Sequence, residues 1–432
     1  MFTISVLFLL QVGNRIPVPG IDSGVLAAIH QTSTGGTQDI FGLLNQFTGG
    51  AFRQLAVFAM GIMPYITVSI ILQLLTLVSP TLEKLSKEGE EGRKKIEQWT
   101  RYGTVAITFM QASMLLSYYK DLQGPGGTPV AYNPGLSFLL LGAMAMTGGT
   151  VLIMWMGEQI SQRGVGNGIS LIICANIIAG YPDSVAKVGS LVRLGAISEL
   201  VVLAMVIMMI VVIAFVVLLT YGQRRVAIKR GKQVVGRRQS PTTSSYLPLR
   251  INTAGVIPVI FASSLMIFPS TLLGLVGNYL PDGPQIWLDG VLSVYWVPGA
   301  FVYVFFEFIL IVLFCYFYTA ITFNPQDIAE NLQKQGVAIP GYQHGKKTVN
   351  YLEHILNRIT LAGALMLAMV AILPQLFISA TKLPPQVSDF LGGTSLIIVV
   401  GVALDTVNQI ENHLRVRNYE GFRVGPSRRP RF

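Results

Sequence analysis

Residues 61–75 read GIMPYITVSIILQLL. The stretch carries no charge, and with its apolar flanks it approaches the ~20 residues of helix that cross the hydrocarbon core of a bilayer. Two residues do not suit a plain anchor. Pro64 lacks a backbone donor and is expected to kink the helix, a break tolerated only where the freed groups face protein or a cavity. Gln73 brings an amide near the far end of the span. Ile62 and Ile66 lie four residues apart and therefore share one helical face.

The rest of the chain agrees with a membrane location. Of its 432 residues 52% are hydrophobic and 12% charged, with a mean hydropathy of +0.57. A soluble protein carries about 25% charged residues. Long apolar runs occur near 57–78, 102–119, 136–156, 167–181, 199–220, 253–277, 299–322, 356–379 and 393–411. Met1–Val12 makes a tenth, short as it stands. No basic segment precedes Phe2–Leu10 and no small-residue cleavage site follows it, so it reads as a first span clipped at its start rather than a signal peptide. With the N-terminus inside, the inner segments 79–101, 157–166, 221–250, 322–358 and 412–432 hold all of the 31 basic residues except Arg15, Arg53, Lys120, Lys187, Arg193 and Lys382. That asymmetry is the positive-inside pattern, and it places both termini on the cytoplasmic side.

Ten spans divide into five and five: an N-terminal half over 1–181, an outer hinge over 182–198, a C-terminal half over 199–411 and a basic tail over 412–432. An odd number per half makes the halves point in opposite directions, the inverted-repeat plan of many transporters. Two inner segments are unusually long, 221–250 and 323–357. The first carries Arg224, Arg225, Lys229, Arg230, Lys232, Arg237 and Arg238. Topology and anionic lipid account for part of that charge; the paired basics also suit an acidic or RNA-bearing partner docking from inside.

No catalytic constellation is legible, and no enzymatic activity, metal, cofactor or DNA partner is expected. His30, His344, His354 and His413 lack metal-ligand spacing. GYQHGKKT (341–348) has three residues between its glycines where a phosphate loop has four. GVGNGIS (164–170) fits no dinucleotide fingerprint, and the flanking Glu158 and Arg163 read as interfacial charges. Cys174 and Cys315 sit in apolar runs as small buried hydrophobes. Two acids fall within spans and are the default pointers to function. Glu307 reads as a proton or cation site, or as an interface group paired with a partner's basic residue; Asp405 lies nearer the inner end. Isoleucine recurs beside helix breakers: Ile62 and Ile66, Ile173 and Ile177, Ile260 after Pro258, and Ile398 after two glycines. Composition alone accounts for isoleucines in membrane helices, so an ion-coupled secondary transporter with inverted repeats stays open on these grounds.

Longer strings carry more information: IPVPGI (16–21), FTGGAFRQLAVFAMGIMPYITVSIILQLL (47–75), EKLSKEGEEGRKKIEQWTRYG (83–103), GEQISQRGVGNGISLII (157–173), VVGRRQ (234–239), SSYLPLRINTAGVIPVIFASS (244–264) and GGTSLIIVVGVALDT (392–406). In these motifs the chain resembles the SecY family of bacterial protein-conducting channels. The resemblance implies an all-α membrane protein whose ten helices form an hourglass channel between two inverted halves in the bacterial inner membrane. It implies a pore ring at Ile62, Ile66, Ile173, Ile177, Ile260 and Ile398, an apolar constriction that closes round a moving peptide and excludes water. It implies a plug within 39–50, with Phe41, Leu43, Leu44 and Phe47 as its apolar part and Gly49 and Gly50 as its hinge. It implies a lateral gate at Gln73, Asn252, Ser264 and Phe268, opening to membrane lipid for signal-bearing polypeptides. Docking loops follow at Arg224, Arg225, Arg237, Arg238, Gln343, Lys346 and Lys347, with the SecA ATPase and the ribosome as their partners and SecE and SecG as small subunits. Two departures stand out. The family's PGIRPG loop reads PGYQHG here, with Gln343 in place of arginine, and Glu307 has no counterpart in the family pattern.

Overall fold

The structure is a computed structural model that describes all residues except 33–43, 121, 125–126, 231–233, 236–237, 240–243, 278–289, 292–294, 297–298, 344, 382, 384–391 and 424–432. The protein is mostly helical. In chain order the described helices are α1 (Phe2–Gly13), α2 (Ser23–Thr32), α3 (Met63–Val78), α4 (Pro80–Lys87), α5 (Glu90–Lys120), α6 (Leu136–Arg163), α7 (Gly168–Arg193), α8 (Glu199–Tyr221), α9 (Ile257–Gly277), α10 (Phe301–Thr322), α11 (Pro325–Lys334), α12 (Lys346–Thr381) and α13 (Gly393–Arg423). Five short strands complete the set: β1 (Gln223–Arg230), β2 (Val234–Val235), β3 (Arg238–Gln239), β4 (Ser244–Arg250) and β5 (Val337–Ala338).

Each expected apolar run contributes to a helix, but length and hydropathy single out fewer spans. Among the described residues six helices are long and apolar enough to cross a membrane: Leu136–Arg163, Gly168–Arg193, Glu199–Tyr221, Phe301–Lys334, Lys346–Thr381 and Gly393–Arg415. A seventh would be Met63–Thr76 with Pro80–Ser86, a pair bent by 104°. The other expected spans differ for physical reasons. α1 and the Ile257–Ile267 part of α9 are short, and α5 begins in a charged stretch, EEGRKK.

Pro64 does not kink a span. The helix starts at Met63, so Pro64 lies in the first turn, where its missing N–H would have had no partner and its fixed φ suits the helix. Residues 50–62 are a chain of turns instead. The segment behind them is held by IPVPGI: Val18 N–H donates to Leu55 O at 2.9 Å and Val57 N–H to Ile16 O at 2.8 Å. GVGNG opens α7. Asn167 caps the helix with its side-chain oxygen, accepting from Ile169 N at 3.1 Å and Ser170 N at 3.3 Å, which satisfies orphan donors of the first turn. α7 runs on through Pro182 to Arg193, leaving 194–198 as the non-helical link to α8.

The basic segment 221–250 is not irregular. β1 and β4 pair antiparallel from Gln223↔Arg250 to Lys229↔Ser244, and β5 joins β1 through Lys229↔Ala338 and Arg230↔Val337. Val226 and Leu249 pack with Ile339, Leu352, Ile355 and Ile359 in a second apolar core. The two long inner segments therefore form one platform braced on the first turns of α12.

Candidate functional site

The main core lies where helices from the two halves of the chain meet. α3 packs on α9, α9 on α13, and α13 on α7. Ile62 and Ile66 come from the start of α3, Ile173 and Ile177 from α7, Ile260 from α9 and Ile398 from α13. All six are at most 3% exposed and belong to one apolar cluster. The residues that the resemblance assigns to a pore ring thus all lie in the main apolar core, although they span more than 300 positions of chain.

Residues 44–50 pack into the same core. A single helical turn over 44–47 buries Leu44 and Phe47 in the same cluster as the isoleucines. Phe41 and Leu43, also expected to belong to this segment, lie outside the described residues. Thr48 closes the turn by donating its hydroxyl to Leu44 O at 2.9 Å. Gly49 and Gly50 follow with φ of 64° and 90°, a left-handed pair that glycine adopts without steric penalty. Gln46 Nε2 donates to Ser395 Oγ of α13 at 3.1 Å, and Asn45 Oδ1 accepts from Arg53 N at 3.0 Å. Asn45, Gly49, Gly50, Arg53, Asp183 and Lys187 line a polar cavity beside this segment.

The residues expected at a lateral gate lie on the contacting elements α3 and α9 and on the turn before α9. Ser264 Oγ is 3.4 Å from Met63 Sδ across the α3–α9 contact and also bonds its own helix, donating to Ile260 O at 2.7 Å. Gln73 donates to Ser69 Oγ at 3.1 Å within α3, and Asn252 donates to Gly255 O at 3.0 Å within its own turn. Both amides are thus engaged locally. Met63, Pro64, Thr67, Gln111, Ser264 and Ile267 line a small cavity between the two helices and α5. Phe268 belongs to α9, but its side chain lies outside what is described.

On the platform, Arg224 and Arg225 are exposed on β1, Arg238 is in β3 and Arg237 is outside the described residues. Gln343, Lys346 and Lys347 are exposed at the start of α12. Lys347 Nζ donates to Gln343 Oε1 at 3.1 Å, and the Tyr342 ring stacks on Tyr351 with centroids 4.0 Å apart. The PGYQHG turn is therefore held at both ends.

Several participants escaped sequence reading. Asn176 of α7 and Asn14 after α1 are buried and bonded to each other. Arg101 and Glu158 form a two-pronged ion pair between α5 and α6 at 3.0 and 2.9 Å, so Glu158 has a specific partner. Glu307 faces the interior, 1% exposed, and accepts from Gln375 Nε2 of α12 at 2.9 Å; it is not presented to a partner's basic group. Outside the spans, Asp22 accepts from Gly24 N at 2.9 Å, Val25 N at 3.3 Å and the Tyr132 hydroxyl at 3.2 Å. The Val25 and Gly24 N–H groups hold the Asp22 carboxyl below its ordinary range. Cys174 and Cys315 are free and buried.

These features define a helical membrane protein whose N- and C-terminal helices share one apolar core. The SecY family profile matches residues 56–407, and the chain belongs to that family. The protein translocase subunit SecY of Escherichia coli is 40% identical over 420 residues, covering 97% of this chain and 92% of the relative. A solved protein-conducting channel has the same fold, with a TM-score of 0.64 at 19% identity over 95% of this chain and 91% of the other. A yeast Ssh1 complex bound to the ribosome matches with a TM-score of 0.59 at 14% identity over 99% and 90%.

Proposed function

We propose that this chain is the pore-forming subunit of a protein-conducting channel, passing secretory polypeptides across the bacterial inner membrane and releasing apolar segments sideways into lipid. The observation that carries the reading is the convergence of six isoleucines from four helices into one buried cluster, capped by residues 44–50. An apolar closure of this kind seals by excluding water and yields to a peptide without offering it a binding site. The reading includes ten spans in two inverted halves with cytoplasmic termini, supported by the distribution of lysine and arginine. α1, α3, α5 and α9 serve as spans despite their short or partly polar sequences. α3 and α9 are the gate that opens to lipid, and 44–50 is the plug.

The chemistry on the cytoplasmic side points to driven transport. The exposed arginines of β1 and lysines at the start of α12 share one braced platform, which suits an acidic or RNA-bearing partner. The SecA ATPase and the ribosome are the proposed partners there, and SecE and SecG the companion subunits; the ribosome-bound yeast relative supports this part. A secondary transporter would need several polar groups converging at the centre, where the isoleucines lie instead. The test is photo-crosslinking from Ile66, Ile177 or Ile260 to a secretory precursor stalled midway, with lipid-exposed Ile207 of α8 as control. Crosslinks at the ring positions and none at Ile207 are expected. A stalled precursor that reaches none of the three would refute the channel reading.

A further inference from the structure

We propose that Asn176 is a latch that holds residues 44–50 over the isoleucine closure, so that movement of α7 on opening releases this segment. The inference rests on the channel reading above and adds a positioning residue to it.

Asn176 is an amide in an apolar helix, 1% exposed. Its Nδ2 donates to Phe47 O at 3.1 Å. The neighbouring carbonyls are served by the chain itself: Leu44 O accepts from Thr48 N, Gln46 O from Gly49 N and Asn45 O from Gly50 N. Phe47 O points instead at α7. The Asn176 oxygen is fixed in turn, accepting from Asn14 Nδ2 at 3.1 Å and Gln11 Nε2 at 3.3 Å. Three separate parts of the chain (α1 and the residue after it, the 44–50 turn, and α7) therefore meet at one amide. The approach is close because residue 49 is glycine: a Cβ there would lie 3.0 Å from Asn176 Oδ1 and 3.1 Å from Asn14 Nδ2. Asn14 Oδ1 is buried without a hydrogen-bond partner, so the cluster holds its acceptors and donors in slight imbalance.

The position of Asn176 along α7 makes it a coupling element. It lies three residues after Ile173 and one before Ile177, on the flank of the face that carries both. At 100° per residue, a rotation or shift of α7 that withdraws the two isoleucines carries the amide with them. The Phe47 carbonyl then loses its donor in a buried setting, and an unpaired buried polar group disfavours the state that contains it. Ring widening and plug release are thus linked through one hydrogen bond.

The test uses the complete complex reconstituted in liposomes, with iodide entry read by quenching of a trapped dye. Asn176→Leu keeps the branched shape of the side chain, removes its polar atoms and leaves Phe47 O unpaired when the channel is shut. Resting iodide flux is expected to rise about tenfold, which corresponds to about 1.4 kcal/mol in the opening equilibrium. Gln11→Leu, at a more tolerant half-buried site, is expected to raise flux several-fold less. The double variant is expected to match Asn176→Leu alone, because both act through one latch; general loosening would make the effects add. Parent-like flux in Asn176→Leu overturns the latch. If that variant does not assemble, parent-like flux in Gln11→Leu overturns it equally, as do additive effects in the double variant. Precursor crosslinking at Ile177 in the parent separates the two levels. Its presence with a tight Asn176→Leu channel rejects the latch alone, and its absence removes the channel reading together with the latch.

Discussion

Gly148 and Gly149 stand side by side in α6, yet a methyl group is expected to have opposite consequences at the two sites. A Cβ at Gly148 would meet nothing within 4 Å. A Cβ at Gly149 would collide with the carbonyl oxygen of Val57 and lie 2.9 Å from both its carbonyl carbon and its Cγ1. Carbon–oxygen contacts settle at about 3.3–3.6 Å, so the backbone at Val57 must retreat or α6 must shift. Val57 has little freedom to retreat, being tied to Ile16 O and followed closely by the start of α3. Overpacking of this kind costs about 1–3 kcal/mol. Replacing glycine by alanine in a helix favours folding by about 0.8–1.0 kcal/mol at either site, so this term cancels when the two variants are compared. Gly149→Ala is therefore expected to be less stable than Gly148→Ala by about 1–3 kcal/mol. Scaled to a chain of this length, that is a separation of about 1–3 °C in melting temperature. Thermal unfolding of the purified complex in detergent measures it. Equal shifts in the same direction would show that the Val57 contact is not what reserves position 149 for glycine. Because Val57 leads into Ile62, Gly149→Ala is also expected to raise resting ion flux, and Gly148→Ala to leave it unchanged.

Three further outcomes follow from the side-chain geometry. Arg101→Leu and Glu158→Gln should each weaken the α5–α6 contact; the pair is partly exposed, 42% and 21% at the two side chains, so a double-mutant denaturation cycle should give a coupling of about 1 kcal/mol or less, and Arg101→Lys should not restore it because a point charge does not replace a two-pronged fork. Gln375→Leu leaves the Glu307 carboxyl buried without its donor and should lower the melting temperature more than Glu307→Gln, which keeps a hydrogen-bonding partner for Gln375; equal effects would refute the pairing. Asp22 has a lowered folded value, so its contribution is present above the ordinary carboxylate range near 4 and is lost as pH falls through the lower folded value. Amide exchange at residues 23–26 should accelerate in that acid window for the parent and stay flat for Asp22→Asn.

The sequence made some of this architecture legible and hid the rest for identifiable reasons. Apolar runs place each long helix because burial and lipid both demand them. The Ile62/Ile66 and Ile173/Ile177 spacings mark single faces, but convergence of those faces is a property of helix packing, which periodicity does not encode. Pro64 looks like a kink within a span because apolar residues continue upstream of the helix start, and composition does not distinguish turns packed in a core from helix. The platform strands did leave a signal: Val226 and Ile228, and Leu247 and Leu249, stand two apart with Arg225, Lys229, Tyr246 and Arg250 at their flanks, the period of a half-buried strand, which the density of arginine and lysine obscured. Asn176 left none. One amide in an apolar run looks like tolerated polarity, and its partners stand 129 and 162 positions away in the chain.

Among the described residues, the hydrogen bonds that tie separate elements across this core are individually weak. Gln46 meets Ser395, Asn176 meets Phe47, and Gly166 N–H donates to Gln409 Oε1 at 2.9 Å, joining the loop before α7 to α13. Each contributes about 0.5–1.5 kcal/mol net, while the isoleucines add only contact, since apolar side chains separate without leaving unpaired groups. On the channel reading, an apolar closure of this kind excludes ions by excluding water, and it yields because its ties are individually weak. A partner bound at micromolar strength has about 8 kcal/mol of binding free energy. It shifts the equilibrium only to the extent that it binds the open form better than the shut one. On the channel reading, ties of this size set a barrier that a fraction of that differential affinity overcomes, and the platform at the start of α12, proposed above as the docking surface, would transmit binding to the helices.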